Sequence, residues 1–310
     1  ADGLRRGDFP TLQMEVNGHP YVYLDSAATS QMPLAVIDRM HRYHLKEHSN
    51  VHRGVHSLSQ NATDAYESTR DAVRRLIGAE HREEILFTSG TTDSINLVAH
   101  SWGGLLEPGD RILVTDMEHH ANLVPWHLLA KRSGVRVESI PMDGRGELDL
   151  EAYERLLATG GVRLVSVVHV SNTLGTVNPV ERITELANAA GARVLIDAAQ
   201  SAPHMALDVK KIGCDFLAFS AHKLCGPTGF GILYARKELL DAMPPFRGGG
   251  SMIEQVTPTS STYLDAPFRF EPGTPPIAAG VGFGEAVRYL ESTGFEAIQH
   301  AENALLEYAV

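Results

Sequence analysis

Lys223 stands in Phe219-Ser220-Ala221-His222-Lys223, directly behind the apolar run Asp215-Phe216-Leu217-Ala218-Phe219. Open α/β sheets place their chemistry where a buried strand gives way to polar residues. A lysine at such a place has two readings. It closes the strand with a surface charge, as most lysines do, or it is a desolvated amine that forms a Schiff base with a carbonyl. Four other groups bear on the choice. Asp197 ends Arg193-Val194-Leu195-Ile196-Asp197; its carboxylate can partner a protonated ring nitrogen or cap the next helix. Ser89-Gly90-Thr91-Thr92-Asp93 offers hydroxyls and free N–H groups to a phosphate at a helix start, or is an ordinary cap. In Glu118-His119-His120-Ala121-Asn122 an imidazole can stack on a flat ring or move protons near neutral pH. A cap or a metal ligand is the other reading there, but adjacent histidines on one helix diverge, so no shared metal is expected. Gln200 and Asn172 supply amides after two further strands, where turn chemistry also accounts for them.

Singly, none of these is specific. Together they follow successive strands, and parallel strands bring such ends to one edge. A Schiff-base lysine, an acid for a pyridine nitrogen, a stacking imidazole and a phosphate cradle with Ser220 and His222 as further donors fit pyridoxal 5'-phosphate (PLP).

The elements that must position these groups alternate along the chain. Short runs rich in Val, Ile and Leu at Glu84–Thr88, Arg111–Thr115, Val135–Ile140, Val162–Val168, Arg193–Ile196, Asp215–Phe219 and Gly231–Tyr234 lack polar alternation, as strands buried on both faces do. Helical patterns separate them, the clearest at Ala62–Ile77 with Gly78 as its stop. The expected fold is α/β, a mostly parallel seven-stranded sheet with helices on both faces. The loop between the last two strands is too short for a crossover helix, so that pair is expected to be antiparallel. Residues 244–276, dense in Gly, Pro, Ser and Thr, read as a long irregular excursion. A helical pattern fills Gly294–Val310.

Composition bounds the function. With 27 basic and 38 acidic side chains the net charge is −11, which argues against general nucleic-acid binding. No apolar run is long enough for a membrane span, and no secretory signal follows the basic start. The only cysteines, Cys214 and Cys225, suit a reducing compartment, with the cytoplasm expected. Cys214 reads as core. Cys225, two residues past Lys223, reads first as a packed thiol and second as a nucleophile.

From about Tyr21 onward the chain resembles the class V aminotransferase-fold enzymes, and most closely the group II, SufS-type cysteine desulfurases. The resemblance is carried by Tyr23-Leu24-Asp25-Ser26-Ala27-Ala28, Val51-His52-Arg53-Gly54-Val55-His56, the stretches 117–126 (MEHHANLVPW), 169–176 (HVSNTLGT), 220–229 (SAHKLCGPTG) and 248–253 (GGGSMI), and 269–275 (RFEPGTP). It implies PLP fold type I, with an N-terminal segment over 1–20, a PLP-binding domain over 21–293 and the start of a small C-terminal domain, largely absent, over 294–310. Lys223 would carry the cofactor, Asp197 would pair with its ring nitrogen, His119 would stack on the ring and Gln200 would bond its phenolic oxygen. Thr92, Ser220 and His222 would hold the phosphate, and Asn172 would touch substrate or cofactor. Thr274 would reach the phosphate of the other protomer in a homodimer. His52, Arg53 and His56 would line the substrate entrance. The implied reaction takes L-cysteine to L-alanine through a persulfide that feeds a sulfur-acceptor protein of iron–sulfur cluster assembly. The family's C-terminal cysteine nucleophile and carboxylate-binding arginine lie beyond the sequence, and Cys225 stands where the family often has an aromatic residue. A selenocysteine lyase, another aminotransferase-fold enzyme, and a PLP-binding chain inactive in sulfur transfer are the alternatives; a metal hydrolase is a distant one.

Overall fold

The computed structural model describes residues 5–309. A small ribbon, β1 (Glu15–Val16) with β2 (His19–Pro20), precedes helices α1 (Leu34–Arg42) and α2 (Ser57–Leu76). The main sheet follows with β3 (Ile85–Thr88), β4 (Arg111–Thr115), β5 (Arg136–Ile140), β6 (Val162–Val168), β7 (Arg193–Asp197), β8 (Phe216–Ser220) and β9 (Gly231–Ala235). Their spatial order is β3-β9-β8-β7-β6-β4-β5. Strands β4 to β8 run parallel. Only β9 opposes its neighbours, β8 on one side and β3 on the other. The expected antiparallel pair is therefore present, and the carboxyl ends of β3, β4, β6, β7 and β8 share one edge.

Both faces of the sheet are covered because alternate strand residues point to opposite cores. Ile85, Leu113, Val165, Ile196 and Phe219 enter a core with α2 and with the helix Ile277–Thr293. Leu86, Ile112, Leu164, Leu195 and Ala218 enter the other, with Ile95 and Trp126 from the helices between strands. Glycines let this last helix approach closely: a Cβ on Gly280 would lie 2.3 Å from the Tyr66 ring.

Two expectations shift. Helix α2 begins at Ser57, five residues before the apolar stripe, because the His56 ring accepts from the Ser59 N–H and caps the helix start. Residues 244–276 are not wholly irregular, since Ile253–Val256 pairs antiparallel with Ser261–Tyr263. Most of that hairpin is exposed, so it lacks the buried alternation that marks a strand in sequence. The Thr257 N–H closes its turn on the Ser260 carbonyl.

Inside the α2 face lies a buried ion network. The Arg70 guanidinium, fully buried, bonds Glu67 and Glu271 and sits 4.0 Å over the Phe87 ring. His52 joins it through Glu67 at 3.0 Å, and Glu271 also accepts the Phe87 N–H. The segments around 52 and 271 are thereby tied to the same helix. Among the described residues no helix is long and apolar enough to cross a membrane.

Candidate functional site

The shared edge of the sheet opens into a cavity of about 490 Å³. Thr92, His119, Asn172, Asp197, Gln200, Ser220, His222 and Lys223 all line it. They arrive from five strand ends: Thr92 after β3, His119 after β4, Asn172 after β6, Asp197 and Gln200 at β7, and Ser220, His222 and Lys223 at β8. Lys223 closes a single 3-10 turn, Ala221–Lys223, directly after β8. That turn is held from far away in the chain: the Ser30 N–H and hydroxyl and the Thr29 hydroxyl all donate to the His222 carbonyl, at 2.9, 2.9 and 3.2 Å. The Ser30 hydroxyl also accepts the Cys225 N–H.

Burial lowers the proton affinity of the Lys223 amine, and nearby Asp197 opposes the shift. The Asp197 carboxyl is buried and pushed upward by desolvation, against the Ala199 N–H and the charge of Lys223. An acid and an amine thus face one space, each partly stripped of water. Burial likewise lowers His222.

The opposite wall is the start of α3 (Thr91–Ser101). Its Thr91 N–H donates to the Ser220 hydroxyl at 2.8 Å, which ties the helix end to the lysine turn. Gly90 has φ +150°, and a Cβ on Gly231 at the start of β9 would fall 2.3 Å from the Gly90 Cα. Only two glycines let this loop lie on β9 and expose its N–H groups.

Several residues went unassigned in the sequence. Asp25, Ala27 and Ala28 also line the cavity, and the Gln200 amide donates to the Ala27 carbonyl at 2.8 Å. Glu118 is the larger omission. Its buried carboxyl accepts from the Thr115 hydroxyl, the Val168 N–H and the Asn122 amide at 2.7, 2.8 and 2.6 Å. Desolvation pushes it up to about 8. Its spacing to Asn122 and Trp126, four and eight residues on, was the available signal, since the Trp126 indole donates to Asn122.

Three residues expected at the substrate entrance, and Thr274, expected at the phosphate of another protomer, lie outside this cavity. His52 bonds Glu67 and His56 caps α2. The Thr274 turn is tied back by the Gly273 N–H to the Gly250 carbonyl, and the Arg53 guanidinium lies beside Gly250. None of His52, Arg53, His56 and Thr274 lines the cavity. Arg53 and the Thr274 turn instead share a separate exposed cluster.

Cys225 faces a second cavity, of about 520 Å³, between the N-terminal segment and the helix Phe295–Ala309; Lys223 is the one residue that lines both. Burial pushes the Cys225 thiol up to about 11 and Cys214 up to about 12. Neither is a ready thiolate. Among the described residues no cluster of three metal-ligating side chains exists.

Residues 22–310 match the family described as aminotransferase class-V. The chain is 51% identical over 304 residues to a probable cysteine desulfurase of Synechocystis, covering 98% of this chain and 72% of the relative. The structure of a cysteine desulfurase from Thermococcus onnurineus superposes with a TM-score of 0.92 at 43% identity, covering 98% of this chain and 74% of that one. The Escherichia coli cysteine desulfurase CsdA superposes with a TM-score of 0.87 at 38% identity, covering 94% and 72%. This chain therefore belongs to the aminotransferase class-V family, among its cysteine desulfurases.

Proposed function

We propose that the chain is a PLP-dependent enzyme that converts L-cysteine to L-alanine and passes the sulfur on as a persulfide. One observation carries this: Lys223, Asp197 and His119 converge on a single cavity whose far wall is an open helix start. The residues fit the cofactor. The cavity has room for it, the close Gly90–Gly231 contact lets the start of α3 lie against β9 at the cavity wall, and Asp197 is a buried acid with one backbone partner.

When bound, PLP supplies a carbonyl for an amine and a ring that accepts the electrons released at the substrate Cα. The remaining work falls to side chains. Asp197 holds the proton of the ring nitrogen. His119 packs on the ring; its Nδ1 accepts the Ala121 N–H at 3.1 Å, so Nε2 is the free nitrogen. Thr92, Ser220 and His222, with the N–H groups of the α3 start, hold the phosphate. Gln200, whose amide here donates to the Ala27 carbonyl, would bond the phenolic oxygen, and Asn172 would orient substrate. Lys223 Nζ, partly desolvated, would hold the cofactor through its carbonyl and, as a base, would move a proton at the substrate Cα. Cleavage of the substrate C–S bond transfers sulfur to a cysteine thiolate, and the three-carbon remainder takes up protons to become alanine.

Cys214 and Cys225 are poorly placed to take that sulfur, so we assign the step to a thiol outside this sequence, in the portion by which the relatives are longer. Thr274, His52, Arg53 and His56 belong, on this reading, to the site of a second protomer in a homodimer; their exposure outside the cavity supports it. An acceptor protein of iron–sulfur cluster assembly in the cytoplasm completes the proposal, and the two free cysteines suit a reducing compartment.

The test is spectroscopic and chemical. Protein incubated with PLP is expected to turn yellow, and borohydride reduction to fix the cofactor on the Lys223 peptide by mass. Lys223→Ala abolishes both, and the complete enzyme releases alanine and sulfide from cysteine. A colourless wild type after incubation, or a keto acid in place of alanine, overturns the reading.

A further inference from the structure

His119 lies on an exposed turn, and one hydrogen bond holds its ring, from the Ala121 N–H two residues on. The position of its imidazole is therefore set by the backbone on either side. That backbone is held by a buried polar network. The neighbouring Glu118 carboxyl takes the Thr115 hydroxyl at the end of β4, the Asn122 amide in the turn His120–Asn122, and the Val168 N–H at the end of β6. Asn122 in turn accepts from the Trp126 indole and the Ser166 hydroxyl, at 3.1 and 2.6 Å, and its own N–H donates to the His119 carbonyl at 2.8 Å. Val168 is the register partner of Asp197 on β7. A single side chain thus joins the segment that presents His119 to the strand pair that presents Asp197.

We infer that Glu118 is a positioning residue: its carboxyl fixes the separation of the His119 imidazole from the Asp197 carboxylate, and hence the slot that a flat ring occupies. A carboxyl with no ionic partner is costly to bury, and its two oxygens here accept from three donors, so displacing any of them leaves buried polar atoms unmatched. Thr115, Val168 and Asn122 belong to three separate segments, and without the carboxyl they have no common acceptor.

This inference rests on the PLP reading. It is tested by the visible circular dichroism of PLP-loaded protein, which reports the asymmetric setting of the bound ring, together with PLP affinity. Glu118→Gln keeps size and one acceptor oxygen but opposes two amides at Asn122. The variant is expected to fold and bind PLP, with an altered visible band and affinity weakened about fivefold, within the range of coupled neighbours. In a His119→Ala background the same substitution is expected to change affinity less than about twofold, because its effect passes through His119. A visible band identical to wild type, or a full fivefold loss in the His119→Ala background, overturns the inference. Should Glu118→Gln not fold, Thr115→Val, which removes one donor and keeps the carboxyl, is judged by the same two criteria. A wild type with no visible band at all sinks the cofactor reading instead, so the two failures are distinct.

Discussion

At the scale of single residues, the chemistry was the most legible part of the chain. Lys223, Asp197, His119, Gln200, Asn172, Thr92, Ser220 and His222 were each marked by standing just past an apolar run, and all eight line one cavity. Glu118 was hidden because a carboxylate after a strand reads as a surface charge or first-turn acid, and only its distant partners show that it is buried. Cys225 illustrates the converse. Its spacing from Lys223 invited a catalytic reading, but the turn carries its thiol to the other side of the lysine. Cys225→Ala is accordingly expected to keep PLP binding and at least half of any desulfurase activity, since a packed thiol behaves as a small apolar group. Loss of alanine formation by more than about tenfold, about 1.4 kcal/mol of barrier, would assign it a role in the reaction.

At the scale of elements, strand order rather than strand content makes the site. The seven apolar runs were visible with errors of one residue at their ends, yet nothing local announced that β9 inserts between β3 and β8. That insertion sets Gly231 opposite both Thr88 and Ser220, bringing the loop 89–93 onto the lysine turn. The glycine requirement at 231 is a property of this contact and has no signature in composition. Gly231→Ala would drive a methyl into the Gly90 backbone, which has no side chain to move aside. The expected cost is about 1–3 kcal/mol in stability. PLP affinity should fall about tenfold or more, as expected when the phosphate loop is displaced by about 1.4 kcal/mol of strain. Denaturant titration and a PLP titration measure the two effects, and an unchanged PLP affinity would show that the loop does not hold phosphate. The placement of His52 and Arg53 outside the cavity was equally illegible, because their bonds and neighbours lie far away in the chain.

For the molecule as a whole, buried titratable groups govern acid stability. His169 follows β6, and burial lowers its imidazole from an ordinary 6.5 to about 4. Its Nδ1 has no partner. The unfolded chain binds this proton below pH 6.5, while the folded chain refuses it until about pH 4. Stability is therefore undiminished above 6.5 and declines as pH falls between these values, by up to about 1.4 kcal/mol per pH unit from this residue. His169→Phe should flatten the dependence of the unfolding midpoint on pH over that window, whatever its effect at neutral pH. An equal slope in both proteins would assign the acid sensitivity to other groups.

The bonds from Thr29 and Ser30 to the carbonyl of His222 span 193 and 192 residues. Read along the time of synthesis, the early segment leaves the ribosome long before its partner, while the β8–β9 turn that carries Lys223 is joined locally and forms as soon as both strands exist. Contacts that close such long loops form late, because their entropy cost precedes their reward. The sheet and the lysine turn can thus assemble before the final clasp. The turn that carries Lys223 therefore reaches its full set of bonds only when the two ends of that loop have met.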